Sequence, residues 1–469
     1  MVAGVAFGAA AQDAPQPGRP TKQAPVRKPP PATTPAGPAT PAEPEQAAPK
    51  REEPEVGPYV TQTMPRDLML RVHVRVNSDA PNEKITYRDP FTGETVNMPV
   101  IRPFEFQTLA MVFPLIPSTA SSDPYPKDFK GQLRLNDLPA DESPQFMTGY
   151  PGGIRLARFD ANEKAQATTC RQVELTLEIP MRCYRTAYDE AGALLVRWPE
   201  GPWPKEAASV QSPQLYIETG VDATGTVRPY DDAVLKTAVA RWLAEEKISD
   251  PRGVNPAALA KMLTGKVWGA FQPDREGMSF KRTGELSGVM LQPPAYSLES
   301  GRGSTHDMAV LLAAVLRSVG LPTRVVVGYD VGPGDEKYMK RNKANELRSW
   351  VEFCLYNEDK NTINWVPIDI ARLRASSSRP MPLTRLWKHF GTSDELNSVT
   401  PFAFHFHPPT DVVSYGWPGF WGWFVTPKPP ENAEQAIRFT AMVMPSRGGQ
   451  PPRDPKKKDE TTIAPTRGY

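Results

Sequence analysis

The run from Gly301 to Tyr329, GRGSTHDMAVLLAAVLRSVGLPTRVVVGY, constrains the fold more than any other stretch of the chain. Met308, Leu311, Leu312, Val315, Leu316 and Val319 recur at helical spacing, and Ala309, Val310, Ala313 and Ala314 fill much of the remaining circumference. A helix this apolar all round must be enclosed by other elements. Gly320, Leu321 and Pro322 end it, and TRVVVGY then reads as an inner strand. RSWVEFCLY and INWVPIDI follow as two further strands rich in β-branched and aromatic residues. One buried helix followed by successive strands predicts an α+β core, placed over residues 230–430.

Ahead of that core the period is two. DLMLRVHVRV alternates Leu68, Leu70, Val72, Val74 and Val76 with Met69, Arg71, His73 and Arg75. RQVELTLEI repeats the pattern with Val173, Leu175, Leu177 and Ile179. Such runs are half-buried strands with one wet face. FQTLAMVFPLI, GIRLARF and ALLVRW lie between and after them, divided by Pro, Gly, Asp and Asn clusters. Residues 59–222 are therefore expected to form an antiparallel β-sandwich. After Tyr230 the period changes: Val234, Leu235, Ala238, Val239, Trp242 and Leu243 stand at helical spacing behind Asp231 and Asp232. Asn255 and Pro256 then open a second helix, AALAKML, as N-cap and first helical residue.

Many of the 54 prolines crowd toward the two ends. Residues 12–57 are Pro, Ala, Glu and Lys with scarcely an aromatic, too little apolar surface to offset the entropy of folding, and are expected to be a disordered linker. Residues 445–469 are expected to be a disordered tail for the same reason. The opening VAGVAFGAAAQDA, an apolar run ending in Ala9-x-Ala11, reads as a signal-peptide remnant over 1–11 and points to export, to the periplasm or beyond. No later apolar run is long enough to span a membrane. A net charge of +2 argues neither for a nucleic-acid groove nor for an acidic partner, and no nucleic-acid partner is expected. Three cysteines are too few for a disulfide scaffold; Cys170 and Cys183 flank one strand-like segment and could pair, or all three could be buried thiols.

Three fragments of the core fall in a telling order. Thr305, Asp307 and Ala309 open the buried helix; Arg348, Trp350 and Glu352 begin the second strand; Trp365, Pro367 and Asp369 lie on the third. This order resembles the core of the transglutaminase-like superfamily, where Cys-x-Asp-x-Ala opens the helix, His-x-Trp begins the next strand, and an Asp follows a Trp-x-Pro-x step. The resemblance spans residues 230–425 and implies a papain-like α+β fold with a Cys/His/Asp triad. It puts Thr305 in the nucleophile's seat and Arg348 in the histidine's, and retains Asp369. Threonine is a poor nucleophile until a base takes its proton. Arginine cannot be that base, because its guanidinium stays protonated and has no acceptor lone pair. Losing nucleophile and base together costs a triad enzyme on the order of 10⁶ in turnover. The resemblance thus implies a pseudoenzyme, a binding or scaffold module for polypeptide or peptidoglycan peptide, with no cofactor. Arg348 would read a ligand carboxylate, and Trp350, Trp365 and Ser304 are the further ligand-binding candidates. The alternative is an amide-bond hydrolase or acyltransferase of the same superfamily using Ser304 or Thr305.

A plainer reading of the same residues makes Ser304 or Thr305 a helix cap and pairs Arg348 with Asp369 as a structural ion pair. Cys354 shares a strand face with Arg348, Trp350 and Glu352, a placement more usual for a packing thiol than a reactive one. His405 and His407, two apart on a predicted strand whose other face holds Phe402, Phe404 and Phe406, form a candidate two-imidazole metal seat. Asp411 or His389 would complete it, giving a metal-dependent hydrolase; a solvated strand face explains the pair equally. Trp417, Phe420, Trp421, Trp423 and Phe424 read either as a stacking platform for sugar or peptide, or as a covered hydrophobic edge.

Overall fold

In a computed structural model the described residues run from 59 to 445, apart from 78, 102, 141–142, 163–167, 213–218, 222–226, 230–231, 281–283, 333–345, 380, 406–420 and 427–433. The expected signal remnant, linker and tail lie outside the described residues, and so do Phe406, His407, Asp411, Trp417 and Phe420.

The two alternating runs become the two longest strands, Val60–Asn77 and Gln172–Tyr188, paired antiparallel along nearly their whole length. Leu68, Leu70, Val72, Val74 and Val76 are all buried, as are Val173, Leu175, Leu177 and Ile179 opposite them. Arg71, His73 and Arg75 take the wet face, where Arg71 and His73 meet Glu178 and Glu174 across the ladder. Lys130–Leu135 extends this sheet on one side. On the other side the neighbour is Glu434–Val443, followed by Leu286–Val289 and Met278–Phe280. The large sheet therefore draws strands from far beyond residue 222.

A second antiparallel sheet, ordered Gly422–Thr426, Thr108–Leu115, Arg155–Asn162 and Gln145–Met147, packs beneath it. Phe159 lies under Gly131 so closely that a Cβ there would stand 2.3 Å from its ring, and Leu177 closes the same contact. Only glycine admits the ring at that spacing. The opposite face of this sheet, Val112, Ile154 and Leu156, packs with Val326, Trp350 and Phe404 of the core. The sandwich is thus built, and its inner sheet is shared with the domain behind it.

That domain is an antiparallel sheet ordered Thr362–Ile368, Glu346–Asn357, Thr323–Asp330 and Val399–Phe404, with helices on its far face. Helix Ala233–Glu245 buries Leu235, Ala238, Val239 and Trp242. Helix Pro256–Ala270 is capped by Asn255, whose Oδ1 accepts from the amides of Ala257 and Ala258. Helix Thr305–Ser318 buries every residue from His306 to Leu316, as a helix apolar all round must.

Ionic clips hold sandwich and core together. Arg324 and Glu352 expose no side-chain surface and pair at 2.7 Å. Glu352 Oε1 accepts the Ala120 amide at 3.1 Å, Arg324 Nη2 donates to the Ser118 carbonyl at 3.3 Å, and the guanidinium lies 4.0 Å from the Trp365 ring centroid and 4.1 Å from that of Phe404. Arg66 reaches from the long strand to the Gly332 carbonyl and Ser398 Oγ, and buried Lys261 joins Glu190 and the Arg385 carbonyl.

Candidate functional site

The start of helix Thr305–Ser318 is a complete capping box. Ser304 Oγ accepts the Asp307 amide at 3.1 Å, and the Asp307 carboxylate accepts the Ser304 amide at 2.7 Å. Asp307 is fully buried and takes more donors: Ser304 Oγ at 2.9 Å, the Gln292 amide at 2.7 Å and Arg275 Nη2 at 3.2 Å. The approach is tight, because a Cβ at Gly303 would stand 2.7 Å from Asp307 Oδ2. Ser304 is held as a cap: it is fully buried, and its hydroxyl is engaged both as donor and as acceptor. Thr305 follows as the first helical residue, half-buried.

His306 points into the core and shares a 2.9 Å hydrogen bond between its Nδ1 and Ser349 Oγ. Burial lowers its pKa to about 4. It is therefore neutral in the folded protein down to about pH 4, whereas the unfolded chain takes up a proton near 6.5. Between those values the unfolded state binds more protons, so stability falls as pH drops from 6.5 to 4, by up to about 1.4 kcal/mol per pH unit. His306→Gln is expected to flatten this part of the profile. Urea titrations at pH 6.5 and pH 4.5 check it, and an unchanged difference between wild type and variant would contradict the assignment.

Arg348 and Asp369 do meet. Arg348 Nε donates to Asp369 Oδ2 at 2.6 Å, Nη1 donates to Asp330 Oδ2 at 3.3 Å, and Nη2 lies 3.2 Å from Glu395 Oε2. Arg372 bridges the same two outer carboxylates, Asp330 at 3.6 Å and Glu395 at 3.4 Å. Asp369 also caps helix Ile370–Ser376, accepting the Arg372 amide at 2.9 Å, and its own amide donates to the His389 carbonyl. Burial works against the charge on Arg348, but Asp369 and Asp330 outweigh it and hold its pKa above the ordinary arginine value. A guanidinium so held offers no lone pair and no readily released proton.

Side chains along the strand Glu346–Asn357 alternate between two surroundings. Ser349, Val351 and Phe353 face the buried helix, whereas Trp350 packs with Val112 and Val326 toward the sandwich and Glu352 pairs with Arg324. Among the described residues no hydrogen bond or ion pair joins Thr305 to Arg348 or Asp369. Asp330, Glu395 and Arg372 were not singled out in the sequence; they come from a strand end, a loop and a helix, and only the fold assembles them.

The other candidates fall mostly into the interior. Trp350 is fully buried, with Nε1 3.3 Å from Glu352 Oε1, and Trp365 stacks on Arg324. Cys354 is fully buried, and burial pushes its thiol well up, as it does those of Cys170, to about 12, and Cys183. Cys170 and Cys183 are both free. The strand Val399–Phe404 ends one residue before His405, which has φ +65°. The ladder also shifts there: Pro401 and Ala403 oppose the consecutive residues Gly328 and Val327, leaving Phe402 as the extra residue of a bulge. Phe402 therefore stacks on Phe439 while Phe404 meets Arg324, a correction to the expectation that both share one face. His405 Nδ1 is buried, and burial lowers its pKa to about 3; its expected partner His407 is not described, and no group of three metal-ligating residues occurs among the described residues. Trp423 is buried in the strand that edges the inner sheet and Trp421 is buried just before it, which makes them a covered edge, and of the described residues of this aromatic run Phe424 is the exposed one.

Residues 278–370 match the family model of the transglutaminase-like superfamily, a span that contains Thr305, Arg348 and Asp369. No curated protein matches the chain. Among solved structures, a "putative cysteine protease" from Cytophaga hutchinsonii is 12% identical, covering 83% of this chain and 94% of its own, with a TM-score of 0.43. A "putative protease" from Parabacteroides distasonis is 10% identical, covering 69% of this chain and 60% of its own, with a TM-score of 0.20. Likenesses that distant carry no argument for this molecule. The family match and the buried helix followed by antiparallel strands agree, and residues 278–370 form a transglutaminase-like superfamily core.

Proposed function

We propose that this chain is a non-catalytic transglutaminase-like protein, an exported binding or scaffold module for polypeptide or cell-wall peptide. The observation that carries the reading is the Arg348 cluster. In the seat the resemblance gives to the catalytic histidine stands a cation already engaged by Asp369, Asp330 and Glu395, so no base is poised there. The nucleophile's side supports the same conclusion, because Ser304 is committed to its cap and His306 to Ser349. With its own carboxylates around it, Arg348 is better read as an internal strut than as the group that reads a ligand carboxylate, so ligand contacts fall to other surfaces. Export rests on the opening apolar run that ends in Ala9-x-Ala11; among the described residues no helix is long and apolar enough to cross a membrane. The test is turnover: peptide-amide hydrolysis and amine transfer by the native chain are expected to be no faster than by Thr305→Ala.

A further inference from the structure

Where the two sheets of the sandwich meet the core sheet, the chain leaves a narrow cavity. Leu115 lines it from the inner sheet, Met181 from the long strand Gln172–Tyr188, and Phe402 from the core strand, at the extra residue of its bulge. Six prolines make up much of the remaining wall: Pro114, Pro117, Pro124, Pro126, Pro180 and Pro401. A proline ring fixes φ and carries no backbone N–H, so these walls are stiff and offer few donors. Counted out to its mouth, the empty space is about 460 Å³, room for a small branched ligand. The polar side chains of the lining are nearly all engaged. Tyr125 Oη donates to Asp67 Oδ1 at 2.7 Å, and Ser122 Oγ shares a 2.8 Å hydrogen bond with Thr119 Oγ1. Arg155 is the exception. It is half-buried, forms no ion pair and no side-chain hydrogen bond among the described residues, and sets its guanidinium 5.8 Å from the Phe146 ring centroid. An apolar pocket with an uncompensated cation in its wall fits a ligand that is apolar at one end and anionic at the other.

We infer that this cavity binds a short branched aliphatic carboxylate, its carbon skeleton against Leu115, Met181 and Phe402 and its carboxylate on Arg155. Two sources carry that chemistry: a free branched-chain acid, and a Val or Leu at the C-terminus of a polypeptide. The second source rests on the proposed binding role and gives it a recognised end. A guanidinium suits a carboxylate because two parallel N–H groups meet its two oxygens, whereas a carboxamide leaves the cation without a counter-charge. A sugar or nucleotide fits poorly, because walls of proline and aliphatic carbon supply few partners for its hydroxyls.

Methyl NMR of the full chain with isotope-labelled methionine tests this, since Met181 lines the cavity and Met308, buried in the core helix, does not. Titration with isovalerate, and separately with the tripeptide Ala-Ala-Leu, is expected to move the Met181 signal and leave Met308 in place, with dissociation constants on the order of 1 mM for ligands this small. Arg155→Gln is expected to weaken binding at least about tenfold, and so is a carboxamide in place of the tripeptide's carboxylate. Because Arg155 holds no counter-charge in the free protein, the variant is expected to keep the wild-type melting temperature. Saturation by isovalerate assigns the free acid and saturation by the tripeptide a polypeptide end, and either one, or both, supports the pocket. A Met181 signal unmoved by both ligands, equal binding of acid and amide, or an Arg155→Gln protein that binds like wild type would overturn it. A silent pocket in a chain without turnover strikes this assignment and spares the binding role, whereas occupancy in a chain that hydrolyses peptide amides does the reverse.

Discussion

Glu352→Ala is expected to cost about 3–5 kcal/mol of folding stability, because it leaves the Arg324 guanidinium buried with no counter-charge. Every ligand of that ion pair is internal: Glu352 also holds the Ala120 amide and the Trp350 indole, and Arg324 lies between the rings of Trp365 and Phe404. Ser118 and Ala120 belong to the sandwich side, so the loss also loosens its seat on the core sheet. Removing both charges together, Arg324→Met with Glu352→Leu, is expected to recover most of the deficit, since two apolar side chains avoid the desolvation that made the unpaired charge costly. Urea unfolding of the two variants beside wild type decides it. A Glu352→Ala protein within about 1 kcal/mol of wild type, or a double variant no better than the single one, would contradict this account of the interface.

The second large effect concerns thiols. Cys170, Cys183 and Cys354 are buried, and burial pushes Cys170 to about 12 and raises the other two as well. Iodoacetamide reacts with thiolate, so near neutral pH these sites are expected to alkylate on the order of a thousandfold more slowly than an open cysteine. Thr305→Cys adds a thiol at the half-buried first residue of the helix, where the backbone amides and helix dipole favour a thiolate. Intact mass spectrometry is expected to show one adduct formed quickly in Thr305→Cys, none in the parent over the same time, and three more sites opened by guanidinium. If the new cysteine were as slow as the other three, the seat would be closed and the inherited site lost altogether. Fast labelling of the native parent would mean that its thiols are not buried as described.

What the sequence made legible follows from the range of the interactions involved. The long strands, the Asn255 cap, the buried helix and its Ser304 cap are all specified by neighbours a few residues away, and they stand where periodicity and capping rules put them. The Arg348–Asp369 pair was legible as well, because two adjacent antiparallel strands carry both residues to one end of the sheet. Strand Glu434–Val443 was missed although Ile437, Phe439 and Ala441 alternate inward, because its partner is Val60–Asn77, more than 350 residues earlier in the chain. Asp330, Glu395 and Arg372 were invisible for a related reason: each looks like an ordinary solvated charge until the fold closes around Arg348. The facing expected around Phe402, Phe404 and His405 failed locally, since a bulge at Phe402 and positive φ at His405 reverse what simple alternation assigns, while His407 lies outside the described residues.

In the proposed function the transglutaminase-like core keeps its fold without the family's chemistry. Incubating the native protein with glutamine-containing and cell-wall peptides, alone and with a primary amine, and following ammonia release and new amide bonds beside the Thr305→Ala variant decides between a binder and an enzyme. Rates for both proteins indistinguishable from buffer are expected. Sustained turnover by the native chain that disappears in Thr305→Ala would contradict the proposed function.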